Sequence, residues 1–173
     1  MLALAAVGAQ GQQIITGDNI NDFNAVTLTG RMSVEMIPAD KPAVTMELHG
    51  INPKQVTWGV TGSSLDIRMK PATPRDGALI VKIYYREVQQ ITANGADVRI
   101  PQPLESPMFT AEISTGAKLT AVLDCKDVRL KATGNSAVLI EGRHYRMRSR
   151  DLRRPMLFSI AANALSYGIG TLL

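Results

Sequence analysis

The sequence predicts an all-β fold: a right-handed β-helix or solenoid-like set of coils of short strands, with a sandwich-like arrangement as the alternative for its N-terminal half. Three observations predict it. Apolar and polar residues alternate with period two in run after run, the runs are bounded by Gly, Pro, Asn and Asp, and from about Gln90 a small-Gly-small pattern recurs near every 20 residues.

The alternating runs come in chain order. In residues 31–37, Met32, Val34 and Met36 fall on one side, with Arg31, Ser33 and Glu35 on the other. Residues 43–49 set Val44, Met46 and Leu48 against Thr45 and Glu47, and residues 64–69 set Leu65, Ile67 and Met69 against Asp66 and Arg68. Residues 78–85 place Leu79, Val81 and Ile83 around Lys82, and residues 127–132 place Val128, Leu130 and Ala132 around Arg129 and Lys131. Each is the pattern of a strand with one buried and one solvated face. Between them lie Asp40-Lys41-Pro42, Gly50-Ile51-Asn52-Pro53, residues 71–77, Asn94-Gly95 and residues 101–107, whose fixed or positive φ angles suit turns. No window of ten residues carries a helical stripe; residues 161–167 are the best helical candidate.

The repeat begins with Ile91-Thr-Ala-Asn-Gly95-Ala-Asp-Val98 and returns as Glu112-Ile-Ser-Thr-Gly116-Ala-Lys-Leu119. A third copy is Leu130-Lys-Ala-Thr-Gly134-Asn-Ser-Ala-Val138, and a fourth, without the glycine, is Ser159-Ile-Ala-Ala-Asn163-Ala-Leu-Ser-Tyr167. A period near 20 residues is about one turn of a β-solenoid, in which each coil stacks its strands on the next and a tight corner recurs. Glycine with small neighbours suits that corner, because it accepts unusual backbone angles and leaves room for the coil above. The longer last interval is read as an inserted, Arg-rich excursion over residues 143–155.

At 173 residues the chain is one domain long. Aromatic residues make up 5%, so the core is built of Val, Ile, Leu, Met and Ala, which favours narrow aliphatic layers. The net charge of +4 is local: residues 1–142 hold 13 Lys/Arg against 14 Asp/Glu, while residues 143–173 hold six Arg against Asp151 alone. That is no general nucleic-acid signature, and no nucleic-acid partner is expected. Cys125 is the sole cysteine, which excludes an intrachain disulfide, and with His49 and His144 as the only histidines no Cys/His metal cluster assembles. The thiol is read as a small buried hydrophobe. The opening MLALAAVGA reads as a signal-peptide remnant of residues 1–9 with cleavage after Ala9, leaving residues 10–173 as the single domain. No later stretch reaches the roughly 20 apolar residues of a spanning helix.

These repeats bring a family into view. Asp22-Phe23-Asn24-Ala25-Val26 and the segment from Leu28 to Met36 resemble a Phe-x-x-Ile segment followed by a Ser-Gly-x-x-x-Val strand. Ala39-Asp40-Lys41-Pro42-Ala43-Val44-Thr45-Met46-Glu47 resembles Gly-Asp-Lys-x-x-Val-x-Val-Glu, and Gly62-Ser63-Ser64-Leu65-Asp66-Ile67 a Gly-x-Leu-x-Ile strand. The corners at Gly95, Gly116 and Gly134 resemble a repeated Ser-Gly-x-Ser/Ala. The chain thus resembles the bacterial "head GIN" family, also described as auto-transporter adhesin head domains and common in Bacteroidetes. The resemblance implies an exported protein with β-helix-like coils and no established biochemical activity. The final coil, without its glycine, and the Arg-rich segment both depart from the family pattern.

Candidate chemistry is sparse. Asp97 follows one corner, and Asp124 and Asp127 flank Cys125 in what reads as a turn; facing carboxylates are what a glycosidase needs. Solvated turn residues explain these acids as well. In His144-Tyr-Arg146-Met-Arg148-Ser-Arg150 the alternation places His144, Arg146, Arg148 and Arg150 on one strand face. Such a row could grip sulfate, phosphate or uronate groups, or guard an exposed edge against pairing. Gly59-x-x-Gly62 has no following Lys and is no phosphate loop, and Gly62-Ser63-Ser64 lacks the spacing of a nucleophile elbow. Trp58 fits either an exposed sugar platform or a half-buried strand residue. The expectation is an exported envelope or surface module, in the periplasm or at the cell surface, binding a surface glycan or envelope protein. It is expected to be no enzyme and to need no cofactor or metal. The alternative is a carbohydrate-active lyase or hydrolase on a short β-helix.

Overall fold

The computed structural model describes residues 12–18, 20–70, 77–150 and 158–161, with the backbone alone at residue 12 and across 143–150 and 158–161. The strands are β1 (Gln12–Asp18), β2 (Ala25–Thr29), β3 (Ser33–Pro38), β4 (Ala43–His49), β5 (Val56–Thr61) and β6 (Ser64–Met69), followed by β7 (Ala78–Tyr85), β8 (Gln90–Asn94), β9 (Asp97–Ser114), β10 (Lys118–Ala132), β11 (Ala137–Arg150) and β12 (Phe158–Ala161). The helical content among the described residues is one 3-10 turn, Pro53–Gln55, capped by the Asn52 side chain. The alternating runs at 43–49, 64–69 and 78–85 coincide with β4, β6 and β7; the run at 31–37 enters its strand at Ser33. All-β is the observed class.

All twelve strands join one strongly curled open sheet, ordered β1-β4-β7-β3-β9-β8-β2-β6-β5, with β10, β11 and β12 stacked beyond β9. The curl comes from β9, whose two ends serve different neighbours. Its residues 97–99 pair with β3, and its residues 110–114 pair with β8. One arm therefore runs β3-β7-β4-β1 and the other β8-β2-β6-β5, both rooted on a single strand. Antiparallel pairs occur at β1/β4, β4/β7 and β5/β6, all within the N-terminal half, while every pairing from β8 onward is parallel.

The inner faces of the two arms share one core. Val34, Met36, Met46, Leu48, Val81 and Ile83 come from the first arm, and Val26, Leu28, Leu65, Ile67 and Ile91 from the second; all are at most 2% exposed. The core continues beneath the long strands through Val98, Leu104 and Phe109 of β9 and Leu119, Leu123 and Val128 of β10. Burying each such side chain is worth about 1.5–3 kcal/mol, so the alternation is the dominant force that holds the curl. The arms meet where Trp58 of β5 packs against the core across Gly17 of β1.

Corners join the arms. Gly30, Gly95, Gly116 and Gly134 all have positive φ and stack on one another. The Gly30 N–H donates to the Asn94 carbonyl at 2.9 Å, the Gly95 N–H to the Ser114 carbonyl at 3.1 Å, and the Gly116 N–H to the Gly134 carbonyl at 2.7 Å. At Gly30, φ is +106° and an added Cβ would come within 2.9 Å of both the Cβ and the carbonyl oxygen of Met69, so only glycine fits.

Three sequence expectations are corrected here. Residues 101–107 are no turn but the middle of β9. Ile100 pairs Ala121 and Leu104 pairs Leu123, so Pro101 and Pro103 sit in a bulge where a missing N–H costs no ladder bond. Residues 143–150 are no excursion, because β11 runs on through Arg150 in unbroken parallel pairing with β10. The fourth copy of the repeat is out of phase: β12 pairs with residues 138–141, after the Gly134 corner, whereas the sequence copy put residues 159–162 before a corner. The register shows why. Asp97 pairs Lys118, 21 residues on; Lys118 pairs Ala137, 19 on; and Val138 pairs Phe158, 20 on. The supposed signal segment, residues 151–155 and residues 162–167 of the helical candidate lie outside the described residues, while Ala161 ends β12.

Closure at Trp58 is open to direct test. A Cβ on Gly17 would collide with the Trp58 ring, at 2.8 Å from Cζ3 and 2.9 Å from Cζ2, whereas a Cβ on Gly59 meets nothing within 4 Å. Gly17→Ala should cost about 1–3 kcal/mol in a urea unfolding titration and Gly59→Ala less than about 0.5 kcal/mol. Equal effects would show that the arms do not depend on this contact.

Candidate binding surface

The long parallel strands present their polar residues in rows. On β10 the pattern from Lys118 to Ala132 buries Leu119, Ala121, Leu123, Cys125, Val128, Leu130 and Ala132, and exposes Asp124, Lys126, Arg129 and Lys131. In-register pairing then fixes what stands beside each. Arg129 lies between Thr110 of β9 and Arg148 of β11, and Lys131 between Glu112 and Arg150. Asp127 lies between Met108 and Arg146, and Asp124 between Glu105 and Arg143. The three arginines singled out in the sequence, Arg146, Arg148 and Arg150, thus occupy alternate positions of β11, as the alternation predicts. What sequence reasoning missed is that Arg129 and Lys131 share their rows. The signal was present, since both residues face outward in the run at 127–132, but the repeat was phased with a 29-residue interval that hid the pairing.

A second feature follows the corners. A groove of about 680 Å³ is lined by Arg31, Asn94, Asp97, Thr115 and Lys118 among others. Thr115 has φ of 57°, a left-handed conformation unusual for a β-branched residue. The Lys118 Nζ stands 3.9 Å from Asp97 Oδ2, but both side chains are more than half exposed, so the pair contributes little.

The sequence-identified carboxylates do not converge. Asp97 lies at the start of β9, beside Lys118; Asp124 is six residues farther along β10, roughly 20 Å at 3.3 Å per residue. Catalytic carboxylate pairs stand about 5 to 9.5 Å apart. Asp124, Cys125 and Asp127 are also strand residues rather than a turn, because the register carries β10 through them. Asp127 Oδ1 sits 3.8 Å from Arg129 Nε, too far for a hydrogen bond. Among the described residues no three of His, Cys, Asp and Glu gather into a possible metal site. The enzyme alternative finds no support in this geometry.

Trp58 is half-buried in β5 and packs against the core, which matches the strand reading. Cys125 is 2% exposed, and its thiol hydrogen-bonds to the Leu104 carbonyl at 3.4 Å. Burial pushes the thiol up to about 11; the charge of Asp124 adds to the shift and a Ser106 backbone hydrogen bond opposes it. Burial also pushes the Tyr85 hydroxyl up to about 12, and its oxygen has no hydrogen-bond partner.

Fold and surface together define an all-β protein whose exposed polar residues are ordered by a parallel ladder over a single aliphatic core. The family whose model matches residues 22–151 is described as "Putative auto-transporter adhesin, head GIN domain", and the chain belongs to that family. Solved structures with the same fold include a "putative adhesin" of Parabacteroides merdae (16% identity, 82% of this chain, 61% of that one, TM-score 0.68). Another "putative adhesin", from Parabacteroides distasonis, shares 13% identity over 88% of this chain and 71% of its own, with a TM-score of 0.67. A third structure, also from P. distasonis, is described as a "Putative lipid binding protein" (12% identity, 87% and 78% covered, TM-score 0.58). The chain spans about three fifths of the P. merdae protein. No curated protein matches.

The buried thiol and phenol set the alkaline limit of stability. Both groups are harder to ionise when folded, so their contribution is full below their unfolded values of 9.0 and 10.0 and is lost as pH rises through about 11 and 12. Unfolding titrations should show level stability up to about pH 9 and a decline from there to pH 12. Cys125→Ala should remove the first part of that decline; an unchanged curve would contradict the burial of the thiol.

Proposed function

We propose that the chain is an exported, non-enzymatic binding module at the cell surface or in the periplasm, wound as a right-handed β-helix from β8 onward. Its ligand is a surface glycan or an envelope protein, met by the outer face of the stacked strands and by Arg146, Arg148 and Arg150. The observation that carries this reading is the constant register of β9, β10 and β11, with pairings 19 to 21 residues apart over most of each strand. A ladder of that length is stiff, and its exposed positions repeat at about 4.8 Å across strands and about 7 Å along them. Such a surface offers pre-organised contacts to an extended ligand, with little ordering cost on binding. Family membership supports the adhesin character, and the parallel neighbours support the helical winding.

A glycan-array screen of the whole chain tests the proposal. Binding to a restricted set of glycans, weakened by Arg146→Ser/Arg148→Ser/Arg150→Ser, is the expected result. A folded protein that binds no glycan and captures no envelope protein from outer-membrane extracts would remove the reading.

A further inference from the structure

We infer that the outer face of β10 and β11 is a site for a linear polyanionic glycan, held by Arg129 and Lys131 together with Arg148 and Arg150 at the register positions beside them. The inference rests on the binding-module reading and adds the class of ligand and two residues of β10.

Register brings like charges together. Arg129 pairs with Arg148 and Lys131 with Arg150, and like charges directly opposed across a ladder are destabilising. The neighbouring charges offset this only in part. Glu112 stands in register with Lys131, Asp127 lies near Arg129 and in register with Arg146, and Thr110 beside Arg129 is neutral. Five cations, counting Arg146, thus face two carboxylates across adjoining strands.

Guarding an edge does not account for the block. An edge guard needs charge on the outermost strand alone, whereas β10 is an interior strand paired to β9 on one side and β11 on the other. Its Arg129 side chain is nevertheless 51% exposed, and Lys131 is exposed with no ion pair among the described residues. An anion laid over the block would relieve the repulsion and could accept paired hydrogen bonds from the guanidinium groups. The block is two strands wide and two outward positions long, about 5 Å by 7 Å. That footprint matches successive sulfate or carboxylate groups on one polymer more closely than the broad, uniform charge of a lipid surface.

The test is retention of the full chain on heparin-agarose, alongside the double variants Arg129→Ser/Lys131→Ser, Arg148→Ser/Arg150→Ser and Lys41→Ser/Lys54→Ser. The last removes the same charge from exposed N-terminal loops. Circular dichroism and the melting temperature confirm that each variant folds. The expected result is salt-sensitive retention of the native chain, an affinity for heparin oligosaccharides about tenfold weaker in either strand variant, and no change in the loop variant. Competition by polygalacturonate as well as heparin would show that carboxylates serve as well as sulfates. Equal weakening in all three variants would overturn the site, leaving only nonspecific charge. Capture by phosphatidylglycerol vesicles without heparin retention would overturn the glycan. Binding of neutral glycans on the array, with no heparin retention, would overturn this inference while leaving the binding module in place; no ligand in either assay would remove both.

Discussion

The structure depends on one constraint, the parallel register that ties each long strand to the strand about one coil earlier in the chain. Lys118 to Ala132 must lie against Asp97 to Ile113, and Ala137 to Arg150 against Lys118 to Lys131, without a slip. A slip of one residue would turn Leu119, Leu123 and Val128 outward and bury Asp124 and Arg129, which no sheet tolerates. Glycine corners make the register possible. They reverse the chain within a few residues, and their backbone hydrogen bonds to the corner above keep successive coils in phase.

That register builds the core and the surface at once. Inward positions stack as aliphatic layers, so few aromatic residues are needed and Phe109 is the largest fully buried side chain. Outward positions stack as charge rows. The same pairing that places Ala111 beside Leu130 in the core places Thr110 beside Arg129 outside, and Arg129 beside Arg148. A charged outer row is therefore a property of the fold as well as of composition, and the local basicity of the last fifth of the chain acquires a geometry. The N-terminal half closes by other means, through antiparallel strands and the packing of Trp58 across Gly17.

Much of this was legible in the sequence, for physical reasons that also explain the rest. Period-two alternation reports burial directly, so β4, β6 and β7 could be placed to the residue. The corners at Gly95, Gly116 and Gly134 were legible because a positive φ at a crowded turn leaves few choices besides glycine. Two kinds of feature were not. Pro101, Pro103 and Pro107 read as turn residues, but a strand accepts them at a bulge or where its neighbour makes no ladder bond, and that depends on β3 and β8 serving opposite ends of β9. The coil after Gly134 was misphased because small residues around Asn163 imitate a corner. Local composition cannot tell a corner from a strand of small residues, whereas backbone pairing can. The charge rows were hidden for the same reason, since Arg148 and Arg129 are neighbours only once the 19-residue offset is known.

That offset is the claim most directly open to measurement. In a Cys125→Ser background, Arg129→Cys combined with Arg148→Cys places two thiols at opposed positions of adjacent strands, within reach of a short bis-maleimide cross-linker. Arg129→Cys combined with Phe158→Cys does not pair the two positions. Peptide mapping by mass spectrometry should find an efficient intramolecular 129–148 link and little 129–158 link. Absence of the first link, or equal yields of both, would contradict the continuous parallel stacking on which the fold and the binding surface rest.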